Sequence, residues 1–220
     1  MATNRTTGNI GLAKAGQTEV IEHLYFYQYL SLTSADCFQI PCLRQTENRY
    51  APFAKMKEKT LDNGDKKLVS DIAQFGSHVL KVMEDDNGPG FAYSVGLFKT
   101  FNHPEIIIIG LKPDLAHILF NNIGEDIKKG KQYQSALLYT DILDDFKCLM
   151  LDVPRESYKK YVGYGLWYYE GDKFPLLQCI YPTVKGIYPW EKEWPEDIID
   201  LQPILGDRRQ IEKVRDANGA

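Results

Sequence analysis

Histidines, cysteines and clustered carboxylates are the side chains of this sequence that could carry a reaction. The histidines are His23, His78, His103 and His117, and the cysteines are Cys37, Cys42, Cys148 and Cys179. His103 or His78 beside Cys148 or Cys179 would pair a base with a thiol nucleophile. Nothing in the linear order brings them together, so packing is the plainer reading. Cys37 and Cys42 stand four residues apart, with no second pair at metal-ligand spacing. That pattern suits small buried thiols better than zinc ligands or a disulfide framework. Asp141, Asp144 and Asp145 could meet a divalent cation, but a solvated turn is the simpler use, as it is for Asp85-Asp86. The string from Gly124 to Gln132 imitates a phosphate-binding loop. It has one residue too many between its glycines, Gln132 where a metal-bound hydroxyl belongs, and a place at the end of a helix where the motif should open one. No GxGxxG after a strand, HExxH or GxSxG occurs. Neither a metal nor a cofactor is expected.

The elements that would position these groups can be read from residue 68 onward. His78 to Met83 is expected as a strand. Asp85-Asp86-Asn87-Gly88-Pro89-Gly90 is a loop, because its glycines and proline supply angles that strands do not use. Phe91 to Leu97 alternates Phe91, Tyr93 and Val95 with the small residues Ala92, Ser94 and Gly96. Glu105 to Leu111 is apolar on both faces, the mark of a central strand. A helix is predicted from Pro113-Asp114 to Gly130, with Leu115, Ile118, Leu119, Phe120, Ile123 and Ile127 on one stripe. Phe146 to Val153 and Leu176 to Tyr181 are further strands, and Arg155 to Tyr164 a second helix with Pro154 at its start. Leu24 to Leu30 is an aromatic stretch of undecided type. Residues 44–70 read as connecting structure with an Asn63-Gly64 turn and a short helix near Phe53–Lys59. Asp207 to Ala220 reads as an exposed helix or a loose tail.

Strands and helices mix without strict alternation, so the expected fold class is α+β. It is a mostly antiparallel sheet, open or barrel-like, packed by two main helices. Residues 1–69 form an N-terminal extension, 70–206 one domain and 207–220 a polar tail. The chain has 220 residues, 44% hydrophobic and 25% charged, which is ordinary for a globular protein. Its net charge of -4 disfavours non-specific nucleic-acid binding, which needs a basic face. The N-terminus shows no apolar signal core, and the longest apolar run, Ile106 to Ile109, is far below the ~20 residues of a membrane span. The expectation is a cytoplasmic protein with no membrane partner. The composition is rich in Tyr 14, Phe 10 and Trp 3. Tyr161, Tyr164, Trp167, Tyr168, Tyr169, Tyr181, Tyr188, Trp190 and Trp194 crowd the C-terminal half, among Asp172, Glu191, Glu193, Glu196 and Asp197. Aromatics with polar tips suit cores, interfaces and pockets.

Several strings resemble, in order, a bacterial family filed as domain of unknown function 4262. They are Gly88-Pro89-Gly90-Phe91-Ala92-Tyr93-Ser94-Val95-Gly96-Leu97, then Asn102-His103-Pro104-Glu105-Ile106. Later come Phe174-Pro175-Leu176-Leu177-Gln178-Cys179-Ile180-Tyr181-Pro182, Gly186-Ile187-Tyr188-Pro189-Trp190-Glu191, and Leu201-Gln202-Pro203-Ile204-Leu205-Gly206. The likeness spans about residues 70–206, with Ser77 standing where members commonly carry an aromatic residue. The resemblance implies a compact bacterial domain and brings no established activity.

Within those strings Tyr93, His103, Gln178 and Trp190 are the candidates for a shared ligand or partner pocket, set against the alternative that they fix turns and fill the core. Gln178, polar in an apolar strand, must find partners if buried. The functional expectation is a non-enzymatic protein that binds a protein partner, of the immunity type that occludes a toxin, with charge complementary to a basic target. The alternative is a small-molecule or enzymatic domain, by loose fold analogy with flavin-binding split barrels. A third reading gives the domain a structural or regulatory role through its extension.

Overall fold

A computed structural model describes residues 62–217. The expectations for Leu24–Leu30 and Phe53–Lys59 lie outside these residues. The first element corrects the reading of residues 44–70. Asn63-Gly64 does not turn the chain. It opens helix α1, Asn63–Phe75. Asp62 caps that helix by accepting from the Asp65 N–H at 2.8 Å, and the Asp65 carboxylate accepts from the Asp62 N–H at 3.1 Å. This reciprocal capping box satisfies two amide donors that a helix start leaves open. Gly76, at φ 89, ends it.

Strands β1 (His78–Val82) and β2 (Phe91–Val95) pair antiparallel, joined by the Asp-Gly-Pro loop. A short helix α2 (Leu97–Phe101) leads to β3 (Glu105–Ile109), which is wholly buried. Helix α3 (Pro113–Lys128) starts with proline at its first turn and buries Leu115, Ala116, Leu119, Phe120, Ile123 and Ile127. Next comes the hairpin β4 (Leu137–Leu143) and β5 (Phe146–Asp152), whose turn holds Asp145 at φ 64. The acidic run at Asp141–Asp145, expected as a loop, is therefore the end of one strand and the turn after it. The expected helix from Arg155 to Tyr164 is broken into a 3-10 turn, α4 (Tyr158–Tyr161) and α5 (Gly163–Tyr168). Val162, at φ -123 and ψ 48, interrupts it, in keeping with the poor helix propensity of β-branched residues and glycine. Strand β6 (Leu176–Ile180) follows, and α6 (Arg208–Ala217) closes the described chain. Its Ile211 and Val214 are buried, so the polar tail is an amphipathic helix.

Among the described residues the sheet has six strands in the order β1-β2-β3-β6-β5-β4. Of these described pairs, only the central β3–β6 pair is parallel. The architecture is α+β, and the sheet is not closed into a barrel: among the described residues β1 and β4 are its outer strands. Alternation along the strands sorts side chains into two faces. Ala92, Ile106, Ile108, Leu177, Cys179, Cys148 and Met150 pack under α3. On the other face Phe91, Tyr93, Val95, Ile107 and Ile109 pack with Leu68 and Ile72 of α1 and with the α4–α5 aromatics. Leu149, Leu151 and Ile180 meet Ile211 and Val214 of α6. Each large side chain buried this way contributes about 1.5–3 kcal/mol before entropy is subtracted.

Candidate functional site

Tyr93 and Gln178 share one row of the sheet, both registering with Ile107 between them. The Tyr93 hydroxyl accepts from the Tyr164 N–H at 3.3 Å, and burial pushes its pKa up. The Gln178 amide donates to the Pro203 carbonyl at 2.8 Å and accepts from the Leu205 N–H at 2.8 Å. It bridges β6 to the loop that crosses over it. His103 lies elsewhere, fully buried beside Tyr133. Its Nε2 takes the Tyr133 N–H at 2.9 Å, which leaves Nδ1 to carry the proton and donate to the Pro104 carbonyl at 2.6 Å. Burial lowers its pKa, so the ring is neutral and both nitrogens are occupied. Trp190 stacks on Tyr188 at 4.5 Å and packs with the Leu149 cluster near α6. Neither concave surface described below is lined by any of these four.

The thiol–imidazole pairings do not form. His78 Nδ1 sits 2.7 Å from Asp71, linking β1 to α1. Cys148 and Cys179 lie on adjacent strands and hydrogen-bond each other; that bond and burial push the Cys148 thiol upward, away from the reactive thiolate. His23, Cys37 and Cys42 lie outside the described residues. Among those described, no group of three or more His, Cys, Asp or Glu side chains could hold a metal ion.

Glu105, which sequence reading passed over, is the most demanding buried group. Its carboxylate is fully inside the protein, at the first position of β3. Oε1 accepts from the Gly96 N–H at 2.9 Å, the Phe98 N–H at 3.1 Å and the Tyr169 hydroxyl. Oε2 accepts from the Ser94 hydroxyl at 2.5 Å, whose oxygen in turn accepts from the Ile106 N–H at 2.9 Å. Burial raises the Glu105 pKa, and the four donors oppose that rise. The cluster ties the α2 turn and the end of α5 to the sheet. Its sequence signal is a carboxylate that opens a run of four isoleucines, facing Ser94 and Gly96 across the strand pair.

A concave surface lies at the other end of β2 and β3. A cavity of about 300 Å³ is walled by Val82, Phe91, Ala92, Leu111, Ala116 and Leu201, with Lys81 and Lys112 also lining it. Glu84 and Leu201 also line a neighbouring open groove of about 600 Å³, which six carboxylates border: Glu84, Asp85, Asp86, Glu196, Asp197 and Asp200. Ile199 stands 65% exposed among them. Glycine makes this close assembly possible. Gly110 has φ 84, and a Cβ there would drive into the Leu201 carbonyl oxygen. The Gly110 N–H donates to the Gly90 carbonyl at 2.8 Å, holding the ends of β3 and β2 together.

Amide side chains fix the loop that forms the second wall. Gln202 accepts from the Tyr181 N–H and donates to the Tyr181 carbonyl, both at 3.0 Å. Trp194 Nε1 donates to the Ile198 carbonyl at 3.1 Å, and Gln178 holds Pro203 and Leu205. Gln178 therefore acts one step away from the groove, as the anchor of its wall. Among the described residues no ion pair engages Glu84, Asp86, Glu196, Asp197 or Asp200. A concave surface lined by one sign of charge concentrates its field and attracts cations.

Residues 71–195, more than half of the chain, match the family described as a domain of unknown function (DUF4262), and the chain belongs to that family. No curated protein and no solved structure matches it.

Proposed function

We propose that this protein works by binding a basic polypeptide in the acidic groove, as an immunity-type protein would when it covers the working surface of a toxin. The observation that carries the reading is the convergence of six carboxylates on one open groove from two chain segments more than a hundred residues apart. Two loops of like charge repel each other, so holding them side by side needs the dedicated amide and glycine contacts that the structure supplies. A cationic partner would relieve that repulsion and would be drawn in by long-range attraction. Toxins that act on nucleic acid need a basic face for the phosphate backbone, and such a face is complementary to this groove.

The test is co-expression of the full chain with each protein encoded beside its gene. The expected result is one stable complex with a basic protein, weakened by added salt. Replacing Glu196→Gln, Asp197→Asn and Asp200→Asn together should slow association by about tenfold, because charges at an interface rim act mainly on the on-rate. No complex with any of these proteins, or one indifferent to the three replacements, would contradict the reading.

A further inference from the structure

Resting on that reading, we infer that the smaller cavity receives one bulky apolar side chain of the partner, and that the recognised segment carries its lysines or arginines on one side of that anchor only. Three observations lead here. The cavity and the groove are neighbours, with Glu84 and Leu201 lining both. At about 300 Å³ the cavity sits at the lower limit of ligand pockets, the scale of a single large side chain. Its walls are preformed: Gly90 lies so close to the Glu84 N–H that a Cβ would stand 3.1 Å away, and Gly110 is pressed on Leu201.

The surface is also polar in the directional sense. Five carboxylates, Asp85, Asp86, Glu196, Asp197 and Asp200, line the groove alone and Glu84 lines both surfaces, whereas Lys81 and Lys112 line only the cavity. A segment threading both would place cations over Glu196, Asp197 and Asp200, drop its apolar residue beside Ala116, and continue past the two lysines with neutral or acidic residues. Buried apolar anchors flanked by charged rims are the usual way such interfaces divide affinity from specificity.

Fluorescence anisotropy of the full chain with labelled peptides tests this. The probes are four lysines followed by glycine and tryptophan, the same peptide with glycine for tryptophan, and one with the lysines split two and two around the tryptophan. The tryptophan peptide should bind at least about tenfold tighter than its glycine counterpart, the scale of burying one large apolar side chain. That advantage should survive salt that weakens both peptides. The split peptide should lose most of it. Leu201→Ala should shrink the tryptophan advantage and leave the glycine peptide unchanged, whereas Asp197→Asn with Asp200→Asn should weaken both peptides alike. If the lysine peptides bind and tryptophan adds nothing, the anchor is refuted while the acidic groove stands. If no lysine peptide binds, the groove reading itself fails. A protein dimer that tryptophan peptide dissociates would assign the cavity to a second copy and overturn the proposal.

Discussion

Replacing Glu105 with alanine takes away the acceptor on which four donors converge, the Ser94 and Tyr169 hydroxyls and the Gly96 and Phe98 amides. A buried donor left unmet costs about 1–3 kcal/mol. The four do not simply add. The Gly96 N–H still reaches the Tyr169 hydroxyl at 3.1 Å, and water entering the vacated space can serve another donor. Removing a carboxylate that burial disfavours also returns part of the loss. The net expectation is a destabilisation of about 4 kcal/mol. Glu105→Gln keeps a carbonyl oxygen for Gly96, Phe98 and Tyr169 and points its amide at the Ser94 oxygen, so it should cost only about 1 kcal/mol. With a urea slope of about 2 kcal/mol/M, the alanine midpoint should fall by ~2 M and the glutamine midpoint by ~0.5 M. Equilibrium unfolding followed by circular dichroism reads both. The raised Glu105 pKa means that the folded chain holds this proton more tightly than the unfolded one. Its contribution to stability therefore shrinks as pH rises through the carboxylate range, and the glutamine variant should lack that dependence. An alanine variant within about 1 kcal/mol of the parent, or a glutamine variant as damaged as alanine, would refute the reasoning.

Burial lowers the pKa of His78, His103 and His117, so each protonates more readily in the unfolded chain. Stability should be full above the ordinary histidine value and fall as pH drops below it; thermal unfolding from pH 7 to 5 should show a decline that His103→Gln reduces. Gln178→Leu leaves the Pro203 carbonyl and Leu205 N–H unmet. It should cost about 2 kcal/mol and speed hydrogen exchange chiefly over residues 198–206. Gly110→Ala combines a left-handed backbone angle with collision against Leu201. A loss of about 2–4 kcal/mol by denaturant titration is expected.

Much of this architecture is legible from local pattern. The run Glu105 to Ile109 and the three-and-four spacing after Pro113 announce a central strand and its covering helix, because their burial imposes a period on the sequence. The strand β4 does not, since Leu137–Leu143 lies at a sheet edge with Thr140 and Asp141 exposed, so half-burial leaves no clean alternation. Helix α1 is hidden by Asn63-Gly64, whose turn preference yields to the Asp62–Asp65 capping box that brackets it. The candidate site was visible only in pieces. Asp85-Asp86 reads as a solvated turn and Glu196-Asp197 as acidic residues among aromatics, and it takes tertiary contacts such as that of Gly110 with Leu201 to bring them together. Tyr93, His103, Gln178 and Trp190 each make contacts within the fold, and residue types alone do not separate a fastener from a ligand. Glu105 shows the same limit from the other side: a buried carboxylate is unusual, and one of its four donors, Tyr169, lies 64 residues away, where local pattern gives no sign of it.

The most direct test maps amide chemical shifts of the isotope-labelled full chain while the lysine–tryptophan peptide is added. The account predicts saturable changes confined to residues 81–92, 110–116 and 196–202, with the largest near Leu201. Changes centred on Tyr188 and Trp190, or none at all, would contradict it.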